Sequence, residues 1–73
     1  MSPITSNALP RIGDVIIFRK PPVGSWISIG EEYIVERGGK DYLYFRNIKT
    51  GGGTFDGFWN IKQSEFTIVR SAE

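Results

Sequence analysis

Glycine and proline cut this chain into pieces too short for a stable helix, and what lies between them is rich in β-branched and aromatic residues. Nine glycines and four prolines are spread over 73 residues. A helix needs about 12–15 residues to hold together on its own in water, and no segment here keeps apolar residues at helical spacing for that length. Short runs bounded by turn residues read instead as strands. Gly13-Asp14 precedes a first strand at 15–18 (VIIF), and a second follows at 32–37 (EYIVER) with Tyr33 and Val35 on one face. The third, 42–48, alternates Leu43 and Phe45 against Tyr42, Tyr44 and Arg46. A fourth at 54–59 and a last at 66–70 (FTIVR) complete the set.

The connections follow from the same punctuation. Pro21 and Pro22 cannot donate ladder hydrogen bonds, so a long loop carrying Trp26 runs from Lys20 to Gly30. Gly38-Gly39 predicts a tight hairpin of the kind that uses positive φ, and 49–53 (KTGGG) a second, glycine-rich turn. Residues 60–65 (NIKQSE) predict a single helical or 3₁₀ turn, the usual short connector. The expectation is one all-β domain at 11–70, with an aperiodic arm at 1–10, in which Ile4 and Leu9 could tuck against the domain, and a tail at 71–73.

A chain this short buries only about 60% of its unfolded surface, so its core is marginal. It has no cysteine for a disulfide and neither cysteine nor histidine for an ordinary zinc site. Packing must supply the stability, and ten aromatics (two Trp, three Tyr, five Phe) are available for it. Strand alternation sends Tyr33, Phe45, Phe58 and Phe66 inward with Ile17, Val35, Leu43 and Ile68. Trp26, Tyr42, Tyr44, Phe55 and Trp59 are left over, and the face of Phe18 is not decided by the pattern.

Composition excludes several functions. Histidine, the usual acid–base group near neutral pH, and cysteine, the strongest nucleophile, are both missing. Glu31 and Glu32 are adjacent, so in a strand they point to opposite faces and make a poor metal pair. The glycines at 51–53 lack the following lysine, hydroxyl residue and helix of a phosphate loop. An enzyme is therefore not expected, and neither a cofactor nor a metal is implied. Nine basic against eight acidic residues gives +1, far from the basic excess of a dedicated nucleic-acid binder. No apolar run approaches the roughly 18 residues needed to span a bilayer, and residues 1–10 do not read as a secretory signal. A soluble cytoplasmic protein is expected.

The order of long first loop, two hairpins, helical turn and final strand resembles Src-homology-3-like barrels. Gly13-Asp14-Val15, Gly30 with Tyr33-Ile34-Val35, the glycines at 51–53 and Phe66 to Val69 resemble, in that order, a pattern found in short bacteriophage and prophage accessory proteins. The resemblance covers about residues 11–70. It implies a small five-stranded barrel and a phage-encoded protein in the host cytoplasm. The signalling members read proline-rich peptides with an acidic, tyrosine-rich first strand and loop. Here that stretch is Phe18-Arg19-Lys20-Pro21-Pro22, so peptide recognition of that kind is not carried over.

The leftover rings point to binding. Tyrosine and tryptophan anchor many interface hot spots, and loop aromatics often mark recognition surfaces. Trp26, Tyr42, Tyr44, Arg46, Phe55 and Trp59 are the candidate binding residues, for a host or phage protein. Burial of Trp26 as a lid and Trp59 as a plug is the competing expectation. The alternative partner is nucleic acid or a nucleotide, including sequestration of a nucleotide signal used in host defence. Bases stack on aromatic side chains while cations such as Arg19, Lys20, Arg46, Lys49 and Lys62 hold phosphates. The chain is expected to be a monomer or a small homo-oligomer formed through an open strand edge.

Overall fold

The structure, a computed structural model, describes residues 9–72. Its elements are β1 (Val15–Lys20), β2 (Glu32–Gly38), β3 (Tyr42–Asn47), β4 (Gly53–Gly57), α1 (Phe58–Gln63) and β5 (Glu65–Arg70). All five strands form one antiparallel sheet in the order β4-β3-β2-β1-β5. The fold is all-β, with the short helix immediately before the last strand. The ladder does not close into the expected barrel: β4 and β5 are the two edges and do not pair. The residues linking those edges form α1, so this corner is bridged by side-chain packing and not by strand pairing.

That helix begins at Phe58, two residues before the turn expected from sequence, and takes Trp59 out of β4. Phe58 and Trp59 are β-favouring types, but Gly57 stays extended as the N-cap, and the Phe58 N–H donates to the Asp41 carbonyl at 2.9 Å. A six-residue helix has little stability of its own. Ile61, fully buried in the core, holds it, and the Ser64 hydroxyl closes its end by donating to the Ile61 carbonyl at 2.6 Å.

The inward face of the sheet carries Ile16 and Phe18 from β1, Tyr33 and Val35 from β2, Leu43 and Phe45 from β3, and Phe66 from β5. Strands alone leave such a face wet. Ile27 of the β1–β2 loop and Ile61 of α1 cover it, with Leu9, Phe58 and Ile68 packed partly buried at its margin. Phe18 sits in the middle. Its ring centroid lies 5.6 Å from Phe45, 5.7 Å from Phe66 and 6.4 Å from Tyr33, in edge-on or tilted geometries favoured by the ring quadrupoles. The expected parity of β1 is corrected here: Ile16 and Phe18 point inward, and Ile17 is only half-buried. Four consecutive apolar residues carry no alternation from which the inward set could be read.

The Gly13-Asp14 pair has a structural task. Asp14 is buried, and its carboxylate accepts the Arg11 N–H at 2.8 Å and the Ala72 N–H at 2.7 Å. Its backbone carbonyl accepts the Val35 N–H at 2.9 Å. One residue thus ties together the entry to β1 and the exit from β5 through its side chain, and the middle of β2 through its backbone. Ala72, in the expected tail, is anchored by it, and Leu9, in the last part of the expected arm, packs on the core. Residues 1–8 of that arm, Ile4 among them, lie outside the described residues.

Two expectations follow for urea denaturation. Phe18→Ala destabilises the domain by about 3–5 kcal/mol, the range for deleting a buried ring, whereas Phe55→Ala costs less than about 1 kcal/mol. Asp14→Ala strands two backbone donors and costs about 3 kcal/mol, since bonds to a charged acceptor contribute roughly 1.5–3 kcal/mol each and do not add fully.

Candidate functional site

The inward placement of Leu43, Phe45 and Asn47 sends their neighbours Tyr42, Tyr44 and Arg46 to the outer face of β3, because side chains alternate along a strand. The β3–β4 register sets Phe55 directly opposite Tyr44 and Gly57 opposite Tyr42. Directly opposed residues share a face, and the three rings meet. Phe55 lies 4.7 Å from Tyr44 and 5.4 Å from Tyr42, centroid to centroid. Phe55 stays 54% exposed and Tyr42 37%, while Tyr44 is half-buried.

Two glycines make room for this arrangement. A Cβ at Gly39 would collide with the Tyr42 ring, and one at Gly53 with the Tyr44 hydroxyl. Both look like turn glycines in the sequence. Neither Gly38 nor Gly39 has positive φ, so the hairpin does not need glycine for its backbone in the way expected. At Gly39 and Gly53 the missing side chain lets a tyrosine lie against the main chain.

A residue that sequence reasoning passed over completes the face. The β2–β3 register shifts between Val35 and Arg37, so Arg37, not Glu36, pairs with Tyr44. The Arg37 guanidinium carbon sits 4.6 Å from the Tyr44 centroid and 5.5 Å from that of Phe55, within cation–π range. Glu36 turns to Arg46 and accepts its Nε–H at 2.7 Å. A bulge leaves no reliable mark in a lone sequence, and strict alternation would have put Val35 and Arg37 on the same face.

The two tryptophans stand apart from the aromatic face. Trp59 is 76% exposed on α1 and Trp26 88% exposed on the β1–β2 loop, and among the described residues neither makes a ring contact. Trp26 borders a cleft of about 440 Å³ formed with the start of β2 and the glycine-rich turn, its other walls being Ser28, Glu31, Tyr33, Asn47, Thr50, Gly52, Gly53 and Thr54. The six residues proposed from sequence therefore lie in three places. Tyr42, Tyr44, Phe55 and Arg46 share the outer face, while Trp26 and Trp59 are each elsewhere.

Asp56, which alternates with Phe55, faces inward opposite Leu43 and is buried, and its Oδ2 has no hydrogen-bond partner among the described residues. Desolvation raises its pKa above the ordinary carboxylate value. Among the described residues no three carboxylates gather where they could hold a metal ion. No helix among them is long and apolar enough to cross a membrane.

Compared with protein-family models, with curated proteins and with solved structures, the chain matches none.

Two measurements probe this geometry. Gly53→Ala pushes the Tyr44 ring off the main chain, so Tyr44–Phe55 NOEs weaken or vanish while the core NOEs among Phe18, Phe45 and Phe66 persist. For Asp56, a pKa raised in the folded state means that its contribution to stability is complete below about pH 3.8 and is lost as pH rises through the folded value. Asp56→Asn therefore unfolds at a higher temperature than the parent at pH 7, and the gain shrinks as pH falls toward 4.

Proposed function

We propose that this chain is a non-catalytic binding module that docks on a protein through the outer face of β3 and β4. The observation carrying this reading is the cluster of Arg37 with Tyr44 and Phe55, with Tyr42 completing it, left open to solvent on the sheet. Holding contiguous aromatic surface in water is unfavourable, and such patches commonly serve recognition. Tyrosine and arginine are the residue types that concentrate binding energy at interfaces. The rings are held by neighbours and by the Gly39 and Gly53 backbones, so little side-chain entropy is lost when a partner arrives.

A protein partner is favoured over nucleic acid by the charge of the face. Arg46 is already met by Glu36, and the chain as a whole is balanced at +1. The nucleic-acid or nucleotide reading draws its support from a cation set within reach of two exposed rings, a combination that a stacked base and its phosphate could use. In keeping with the resemblance of residues 11–70 to phage accessory proteins, the natural setting proposed is the cytoplasm of an infected host.

Affinity capture tests the reading. The parent chain retains a discrete host or phage protein, and the Tyr44→Ser/Phe55→Ser double variant, folded by circular dichroism, retains it about tenfold less or not at all. Retention unchanged in the double variant removes the aromatic face from consideration. Capture abolished by nuclease, with affinity falling steeply in added salt, favours the nucleic-acid reading.

A further inference from the structure

The cleft beside Trp26 has a chemistry of its own. Ile27 is drawn into the core and is only 8% exposed, which leaves the adjacent Trp26 out in solvent. The loop around it is fixed. The Ser28 N–H donates to the Tyr33 hydroxyl at 2.8 Å, and the Gly30 N–H donates to the Phe18 carbonyl at 3.3 Å. The opposite wall is fixed by the buried Asn47. Its Oδ1 accepts the Lys49 and Thr50 N–H groups at 2.8 and 3.0 Å, and its Nδ2 donates to Glu31 Oε1 at 2.5 Å.

What remains unused in the cleft is a set of hydroxyls and one carboxylate oxygen. Tyr33 accepts a hydrogen bond from Ser28 but donates none among the described residues, and Thr50 accepts one from Gly52 with its own proton unspent. The Ser28 and Thr54 hydroxyls make no hydrogen bond there, and Glu31 keeps its second oxygen. The lining includes no lysine or arginine.

We propose that this cleft binds a neutral polyhydroxylated ligand, a mono- or oligosaccharide, with the Trp26 indole against the C–H face of a sugar ring. An anionic ligand finds no cation in the lining. The nitrogen of an ammonium ligand accepts no hydrogen bond and would leave the four hydroxyl protons of Ser28, Tyr33, Thr50 and Thr54 unmatched by it. Sugar hydroxyls both donate and accept, so they match these groups, and the Glu31 carboxylate is the strongest acceptor for a hydroxyl proton. The apolar edge of the ring takes the indole out of water. At about 440 Å³ the cleft is open to solvent on one side and has room for a small ligand laid along its wall. Apart from Gly53, whose backbone also supports the Tyr44 ring, its residues are not those of the aromatic face, and the side chains varied in the test below lie outside that face, so this proposal and the docking proposal stand or fall separately.

Fluorescence and amide chemical shifts test it. In a Trp59→Phe background Trp26 is the one tryptophan, excited selectively at the red edge where tyrosine does not absorb, and the protein is titrated with maltotriose, cellotriose and N-acetylated chitotriose, with choline chloride in a parallel arm. At least one trisaccharide gives a saturable change in Trp26 emission and shifts the Gly52 and Gly53 amides. Trp26→Ala, which removes an exposed side chain and leaves the fold intact, abolishes the amide shifts. Glu31→Gln weakens binding about tenfold, the effect of losing a charged acceptor. Because that change also touches Asn47, Thr54→Val serves beside it and weakens binding several-fold. Absence of a saturable response to all three sugars, a response to choline alone, or amide shifts that survive Trp26→Ala would each overturn the proposal.

Discussion

The Phe18 ring is the contact on which the rest of this molecule depends. It stands on the strand between β2 and β5 and touches Tyr33, Phe45 and Phe66, so one side chain joins four of the five strands. This small domain has no cysteine for a disulfide, and β4 and β5, the edges of the sheet among the described residues, do not pair. Cohesion comes from apolar area removed from water, and aromatic rings remove the most per residue. Ile27 and Ile61 finish the core from a loop and a helix, elements that have no independent stability and exist because the inward face needs a cover.

The aromatic face outside is a consequence of that core. Once Leu43 and Phe45 point in, Tyr42 and Tyr44 must point out, and antiparallel register delivers Phe55 to them. The bulge in β2 then spends two consecutive residues on one side: Glu36 neutralises Arg46, while Arg37 lies on the rings. In the β1–β2 loop the same logic operates one residue apart, with Ile27 taken by the core and Trp26 left over a polar cleft. The exposed rings of both candidate surfaces are thus side chains that strand alternation and the core left outside.

Several features were legible in the residue order, and the misses have specific causes. The strands at Glu32, Tyr42 and Glu65 were readable because alternation or a β-branched run was bounded by glycine, proline or short polar stretches. The outward set Tyr42, Tyr44 and Arg46 was readable for the same reason. Phe58 and Trp59 misled because their β preference is local, whereas α1 is decided by Ile61 reaching a distant core. Gly53 looked like a turn glycine because a ring resting on the backbone of the next strand is invisible in either segment alone, and Gly39 does stand in a turn, where its second task of backing the Tyr42 ring leaves no separate mark.

By itself the sequence determined that this chain is all-β, made of five short strands and a brief helical turn, with more rings than its core would hold. Those properties depend on local preference and on alternation with a period of two, which act over a few neighbouring residues. Only the tertiary structure decided which face Phe18 takes, that the sheet stays open between β4 and β5, that Arg37 joins the rings, and that Trp26 and Trp59 part company. These depend on register, and register is set by which side chains meet across strands that are far apart in the chain.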